Sequence, residues 1–316
     1  VSPLDLASGL RRAGGWVART LVDPPLPLVA VEVRPTAVAA VRLVREGRRL
    51  SLGAAAVVDL PEGTLEVSVA KSNVRSGEAL RAALGSVLER AGALSGGDVS
   101  LVLPDPAVRV TLVPAAGIRG RRREAEETVR FRLHKALPFD VRAARIAWAP
   151  ALGDQMLVAV ALDEVVRGYE DALDELGYRP GLVEPASLAL AAREAATPGD
   201  RLLVNWDDGY VSFVILRGGD PVLLRTLPGE GGRDAVARHA ASTRQFHRDR
   251  LGGAGFADVV VRAATVPGEE ALSILEQAIG TSPRLVEPWA ALGIREHGAP
   301  VQAVAGAAAC ALRRAA

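Results

Sequence analysis

The chain has 316 residues, 49% apolar but only 4% aromatic, with 38 basic against 37 acidic side chains for a net charge of +1. That length points to two or more lobes built on Ala, Val and Leu, and the charge balance argues against a nucleic-acid binder. The one cysteine, Cys310, excludes an internal disulfide framework and suits a reducing compartment. No apolar run of about 18 residues is present, and no basic segment leads into an apolar one as in a signal peptide. The expectation is a cytoplasmic protein that meets a membrane only through a partner.

In chain order, Ser2–Val22 reads as a helix with Ser2 as cap and Pro3 in its first turn, and Asp23–Pro27 as a stiff linker. Together, residues 1–27 form a helix or tail with its linker. Leu28–Val33, Ala37–Val44 and Arg49–Val58 are three strands, and Pro61–Ser76 is irregular. Gly77–Ala91 is a helix with Leu80, Leu84, Val87 and Leu88 on one stripe. Strands Val99–Leu103 and Val108–Val113 flank Pro104-Asp105-Pro106. Helix Gly120–Leu137 carries acids in its first half and bases in its second, as the macrodipole favours. Strands Ile146–Ala149 and Gln155–Ala161 follow, then helix Asp163–Leu176, a short strand Leu182–Val183 and helix Ala186–Ala195.

A second meander opens at Arg201. Leu202–Val204 is an apolar run, Val211, Phe213 and Ile215 alternate, and Val222–Leu224 follows the turn Gly218-Gly219-Asp220-Pro221. Then come helix Arg233–Leu251, strand Asp258–Arg262, helix Gly268–Ile279, strand Arg284–Val286, a short element at Ala290–Ile294 and helix Val301–Arg314. Two blocks thus begin with three-stranded meanders. This is a duplication of topology, with an extra unit over about 99–161 in the first block. The division predicted is 28–180 for the first lobe and 181–316 for the second.

His134, His239 and His247 have no metal-ligand spacing and read as exposed, and no Walker A, G-x-S-x-G or H-E-x-x-H motif occurs. Gly252-Gly253-Ala254-Gly255 reads as a helix stop.

Several stretches resemble the PilM family, the actin-like cytoplasmic proteins of type IV pilus assembly. They are VEVRPTAVAAVRL (Val31–Leu43), LVPAAG (Leu112–Gly117), ETVRFRLHKALPFD (Glu127–Asp140), the segment Val158–Arg193, LLRTLPGEGG (Leu223–Gly232) and VEPWAAL (Val286–Leu292). The cytoplasmic domain of GspL from type II secretion is the related alternative. The resemblance implies an α/β, actin-like fold of two lobes with a duplicated β-meander and an inserted small α+β subdomain. It also implies a partner like PilN, a bitopic inner-membrane protein whose short cytoplasmic segment docks between the first meander and the insert. Further contacts would be with other pilus or secretion components. The walls of that groove are expected at Val108, Val110, Leu112, Phe131, Leu133, Leu137 and Phe139.

Members of that family that bind ATP place an acid and a glycine in each phosphate hairpin, where glycine lets backbone approach phosphate and the carboxylate positions magnesium. Here Glu32, Arg34 and Thr36 stand in the first hairpin, and Asn205, Asp207, Asp208 and Gly209 in the second. Pro35 removes a backbone donor. Arg262-Ala263-Ala264 replaces the adenosine loop, and of the family's glycines Gly229, Gly231, Gly232 and Gly306 remain. The expectation is a scaffold without catalytic residues, metal or cofactor and with degenerate nucleotide loops. An ATPase that binds magnesium-ATP, with Asp207-Asp208 as a shifted metal pair, is the competing reading.

Overall fold

The computed structural model describes residues 27–47, 49–93, 96–118, 122–294 and 300–314. The expected N-terminal helix and most of the linker lie outside them. Strands β1 (Val29–Val33), β2 (Ala37–Glu46) and β3 (Arg49–Asp59) form the first meander, with Val31 opposite Ala40 and Val41 opposite Ala55. Helix α1 (Gly77–Arg90) starts at Ser76, whose side chain accepts from Ala79 N, and buries the expected stripe. Strand β4 (Gly97–Leu103) returns parallel to β1, with Ala30 opposite Ser100.

The insert is β5 (Arg109–Pro114), α2 (Arg122–Leu133), β6 (Ala144–Ala151) and β7 (Gln155–Leu162), an antiparallel sheet in the order β5-β7-β6 with α2 on one face. It begins after β4, not at Val99. Val99–Leu103 is buried on both faces, as a central parallel strand must be. Helix α3 (Asp163–Asp174) and β8 (Tyr178–Pro185) complete a sheet of order β3-β2-β1-β4-β8. β8 is far longer than the two residues expected. An edge strand tolerates Pro180, Gly181 and Pro185, which hide it in the sequence. The boundary expected at 180/181 therefore falls inside β8, which pairs with β4.

Helix α4 (Ala186–Ala191) leads to β9 (Asp200–Asp207), β10 (Tyr210–Arg217) and β11 (Asp220–Pro228), then α5 (Arg233–Leu251), β12 (Phe256–Ala263), α6 (Gly268–Ile279) and β13 (Arg284–Leu285). The sheet order β11-β10-β9-β12-β13 repeats that of the first lobe strand for strand. The segment at Ala290–Leu292 is a single 3-10 turn. Helix α7 (Val301–Ala311) follows in sequence but crosses back, packing on β1, β2 and β4 and beside α4. Its Ala, Gly and Cys side chains let both sheets approach: Val41 and Val102 of one share a core with Leu203 and Val260 of the other. The doubled topology and its insert make this a two-lobed actin-like fold. Among the described residues, no helix is long and apolar enough to cross a membrane.

Helix α5 is fixed to the second sheet by a buried ion group. Val236, Ala240, Thr243 and His247 form its inner stripe, so His247 is buried and not exposed as its sequence context suggested. Its Nε2 lies 2.6 Å from Asp200 Oδ2, and Arg217 donates to the same carboxylate through Nε (2.9 Å) and Nη2 (2.7 Å). Arg217, against the cost of partial burial and with help from His247, holds Asp200 down at about 2. The unfolded value is about 3.9. This contribution is therefore present above about pH 4 and is lost as pH falls through 2. Thermal melts from pH 5 to 2 should show Asp200→Asn less stable at pH 5 and with a shallower acid limb than the parent chain. Equal slopes would mean that the ion group contributes nothing.

Candidate functional site

The two hairpin turns of the duplicated meanders face each other across the cleft between lobes. Arg34 follows β1 and Asp207 ends β9. Arg34 Nε donates to Asp207 Oδ2 (2.9 Å) and Nη2 to Oδ1 (2.8 Å), a bidentate pair between lobes. Arg262, near the end of β12, enters from the side. Its Nη1 donates to Asp207 Oδ2 and to Asn205 Oδ1, both at 3.0 Å, and its Nε donates to Gln302 O at 2.9 Å. Its Nη2 lies 2.8 Å from Glu32 Oε1, a charge contact rather than an aligned hydrogen bond. Glu32 Oε2 accepts from Ala307 N on α7 at 3.2 Å. Asn205 Nδ2 donates to Asp105 Oδ2 (2.9 Å), and Asp105 also accepts from the backbone N (2.8 Å) and hydroxyl of Ser187.

Every charged member of this network is at most 3% exposed. A buried charge costs several kcal/mol unless it is paired and hydrogen-bonded, so the members stand or fall together. Burial raises Glu32 above the usual carboxylate range, although Arg262 and Arg34 oppose it. Burial pushes Asp207 the same way, but Arg262 and Arg34 outweigh it and hold Asp207 low. Glu32 is therefore the first of these two carboxylates to take a proton as pH falls.

The glycines that persist are also committed. Gly229 N donates to Gly209 O (2.7 Å) and Trp206 Nε1 to Gly231 O (2.8 Å). A Cβ on Gly231 would lie 2.8 Å from Tyr210 N and 3.0 Å from Asp207 O. The glycine loop lies directly against the acid-rich turn, so close that a side chain at position 231 would meet its backbone. Gly306 faces the Glu32 carboxylate, while Gly232 caps α5. Thr36 and Asp208 are exposed on the turns, and Asp208 joins the network only through its backbone N, which donates to Asp207 Oδ1 at 2.8 Å. Both acidic side chains of these turns, Glu32 and Asp207, are engaged by arginines of the chain itself.

The open site lies elsewhere. On the insert sheet, Val113, Met156, Val158, Ile146 and Trp148 pack beneath α2. The opposite face carries two cross-strand rows, Val110-Ala159-Ala147 and Leu112-Leu157-Ala149, with the pair Ala161-Arg145 beyond them. A cavity of about 210 Å³ opens against this face, walled across by Leu103 and by Val183–Pro185 on β8. Both β6 and β8 are sheet edges.

Of the residues expected to wall a groove, Val108 lines this cavity. Val110 sits in the narrow crevice beside it, toward Ser212 and Thr226, and Leu112 is on the same sheet face. Leu133 is instead in the insert core, Leu137 and Phe139 pack at its edge, and Phe131 is 76% exposed on α2. The structure adds Ala147, Ala159, Ala161 and Val183–Pro185. The signal for the three alanines was the alternation in β6 and β7, where Ala147, Ala149, Ala159 and Ala161 share one face with Arg145 and Leu157, and Ile146, Trp148, Met156 and Val158 take the other.

No protein-family model matches the chain, and no curated protein matches it either. Among solved structures, a chain of the PilM-PilN type IV pilus biogenesis complex superposes with a TM-score of 0.74 at 21% identity, over 92% of this chain and 98% of that one. The cytoplasmic domain of EpsL, an inner membrane component of the Vibrio cholerae type II secretion system, gives 0.48 at 14% identity over 82% and 85%. A Bacteroides thetaiotaomicron protein with an actin-like ATPase fold and unknown function gives 0.49 at 9% over 82% and 90%. The chain thus shares its fold with the pilus biogenesis protein along nearly its whole length.

Proposed function

We propose that this chain is a nucleotide-independent scaffold of a type IV pilus or related secretion machine, held at the cytoplasmic face of the inner membrane by a PilN-like bitopic protein. The observation that carries the reading is a contrast between two sites on one actin-like frame. The interlobe cleft is filled by the chain's own arginines, whereas the groove between insert and first lobe stays open and apolar. The groove suits an extended segment. Such a segment can add backbone hydrogen bonds at the edge of β6 or β8 and place alternate side chains against the alanine rows.

The test is calorimetric titration of the full chain with a synthetic peptide of the cytoplasmic N-terminal segment of a PilN-like protein, and separately with magnesium-ATP. The expected result is peptide binding that falls at least tenfold in Ala159→Arg, which fills the cavity with a charged side chain, and no heat with ATP at millimolar concentration. Peptide affinity unchanged in Ala159→Arg would move the docking site elsewhere. Micromolar ATP binding would return the cleft to a working nucleotide site.

A further inference from the structure

Hydrogen bonds and ion pairs run without a break from the cleft to the groove. The order is Arg34, Asp207, Arg262, Asn205, Asp105, Ser187. At the near end, Ser187 is the second residue of α4, two positions after Val183–Pro185, one wall of the groove. Asp105 lies between Leu103 and Val108, which line it as well. Asp105 therefore staples two groove segments together through Ser187, and the staple is tied to the second lobe through Asn205.

Asn205 is the joint. Its amide orientation is dictated by its neighbours: a carboxylate can only accept and a guanidinium can only donate. Nδ2 must face Asp105 and Oδ1 must face Arg262, as observed. No water-exposed position exists for any of these groups, since Asn205 is fully buried and Asp105 is 2% exposed. Parting the lobes would leave Asp105 with one donor fewer in a buried site, a cost of the kind that makes such networks switch as units.

We infer that the interlobe ion network sets the shape of the docking groove through the Asn205–Asp105–Ser187 relay, so that closure of the lobes and occupation of the groove are thermodynamically linked. This rests on the docking reading for the groove's use, but the link itself needs no partner to be tested. The arginines then have a role beyond filling a cleft. They hold the groove in one state, as a bound ligand could hold it in a fold that opens and closes. By reciprocity, whatever enters the groove tightens the lobes by the same free energy.

Hydrogen exchange of the full chain, without any added ligand, decides the matter. Asn205→Asp keeps the size of the side chain and the acceptor to Arg262 but removes the donor to Asp105. The expected result is at least tenfold faster exchange in 103–108 and 183–188, with α1 and α6 unchanged. Asp200→Asn, which weakens the second lobe outside the relay, serves as the control and should leave 103–108 and 183–188 at the parent rate. Should Asn205→Asp not fold, Asn205→Ser, too short to bridge Asp105 and Arg262, takes its place. If exchange accelerates only around 200–212, or equally in the Asp200→Asn control, the relay does not exist, whether or not a peptide binds. If the relay is present and the PilN-like peptide gives no heat, the groove is coupled but serves another occupant.

Discussion

Asp207→Ala should lower stability by about 3–5 kcal/mol, the range for removing one partner of a buried ion pair. Asp207 is the shared acceptor of two arginines from different elements, Arg34 through two hydrogen bonds and Arg262 through one. Arg262 would keep Asn205, Gln302 O and Glu32. Arg34 would lose its bidentate partner while only 3% exposed. A loss of this size corresponds to a melting temperature lower by on the order of 10 °C. The double variant Arg34→Leu/Asp207→Ala should be more stable than Asp207→Ala alone, because it removes the stranded charge. Melting of the four proteins of this cycle measures the coupling. Additive effects would mean that the two side chains do not pair across the cleft.

Gly306→Ala should destabilise by about 2–5 kcal/mol, against the rule that alanine in a helix interior is worth roughly 1 kcal/mol more than glycine. An added Cβ would stand 2.5 Å from Glu32 Oε2 and 2.6 Å from its Cδ and Oε1. A carboxylate at the end of a side chain can usually swing aside. This one is 1% exposed and held between Arg262 Nη2 and Ala307 N. Displacing it both overpacks the site and leaves Arg262 short of a counter-charge. Denaturant titration should show a lowered midpoint, with part of the loss recovered in Gly306→Ala/Glu32→Ala. A midpoint at or above that of the parent chain would mean that helix propensity alone governs position 306.

Much of this was legible in the sequence. The two meanders were visible as alternating apolar runs, and Arg34, Asp207 and Arg262 stood out in the turns and loop around the expected cleft. What could not be read was that these residues pair with one another. Arg34 and Asp207 are 173 positions apart, and Arg262 and Asp207 are 55 apart. No local pattern reports a pairing that exists only once two lobes have closed. The expected groove walls were drawn partly from α2, and there the structure places the side chains differently. Phe131 and Leu133 are only two residues apart, so on a helix they point to different sides, one outward and one into the core. His247 is a different kind of miss. It falls on the stripe Val236, Ala240, Thr243, and helical period alone would have buried it.

Helix α7 also imposes an order of events on synthesis. The sheet of the first lobe is made early, yet the helix that covers it and meets Glu32 comes 275 residues later. At ribosomal rates of about 5–20 residues per second, that gap is roughly 14 to 55 s. For that interval, the apolar face formed by Ala30, Ala39 and Val41 waits without its cover. Glu32 and Arg34 wait without Arg262 and Asp207. The nascent first lobe thus keeps this apolar face uncovered until α7 is made, and truncation before Val301 would remove Val304, Ala305, Ala307 and Ala308 from the seam between the two sheets.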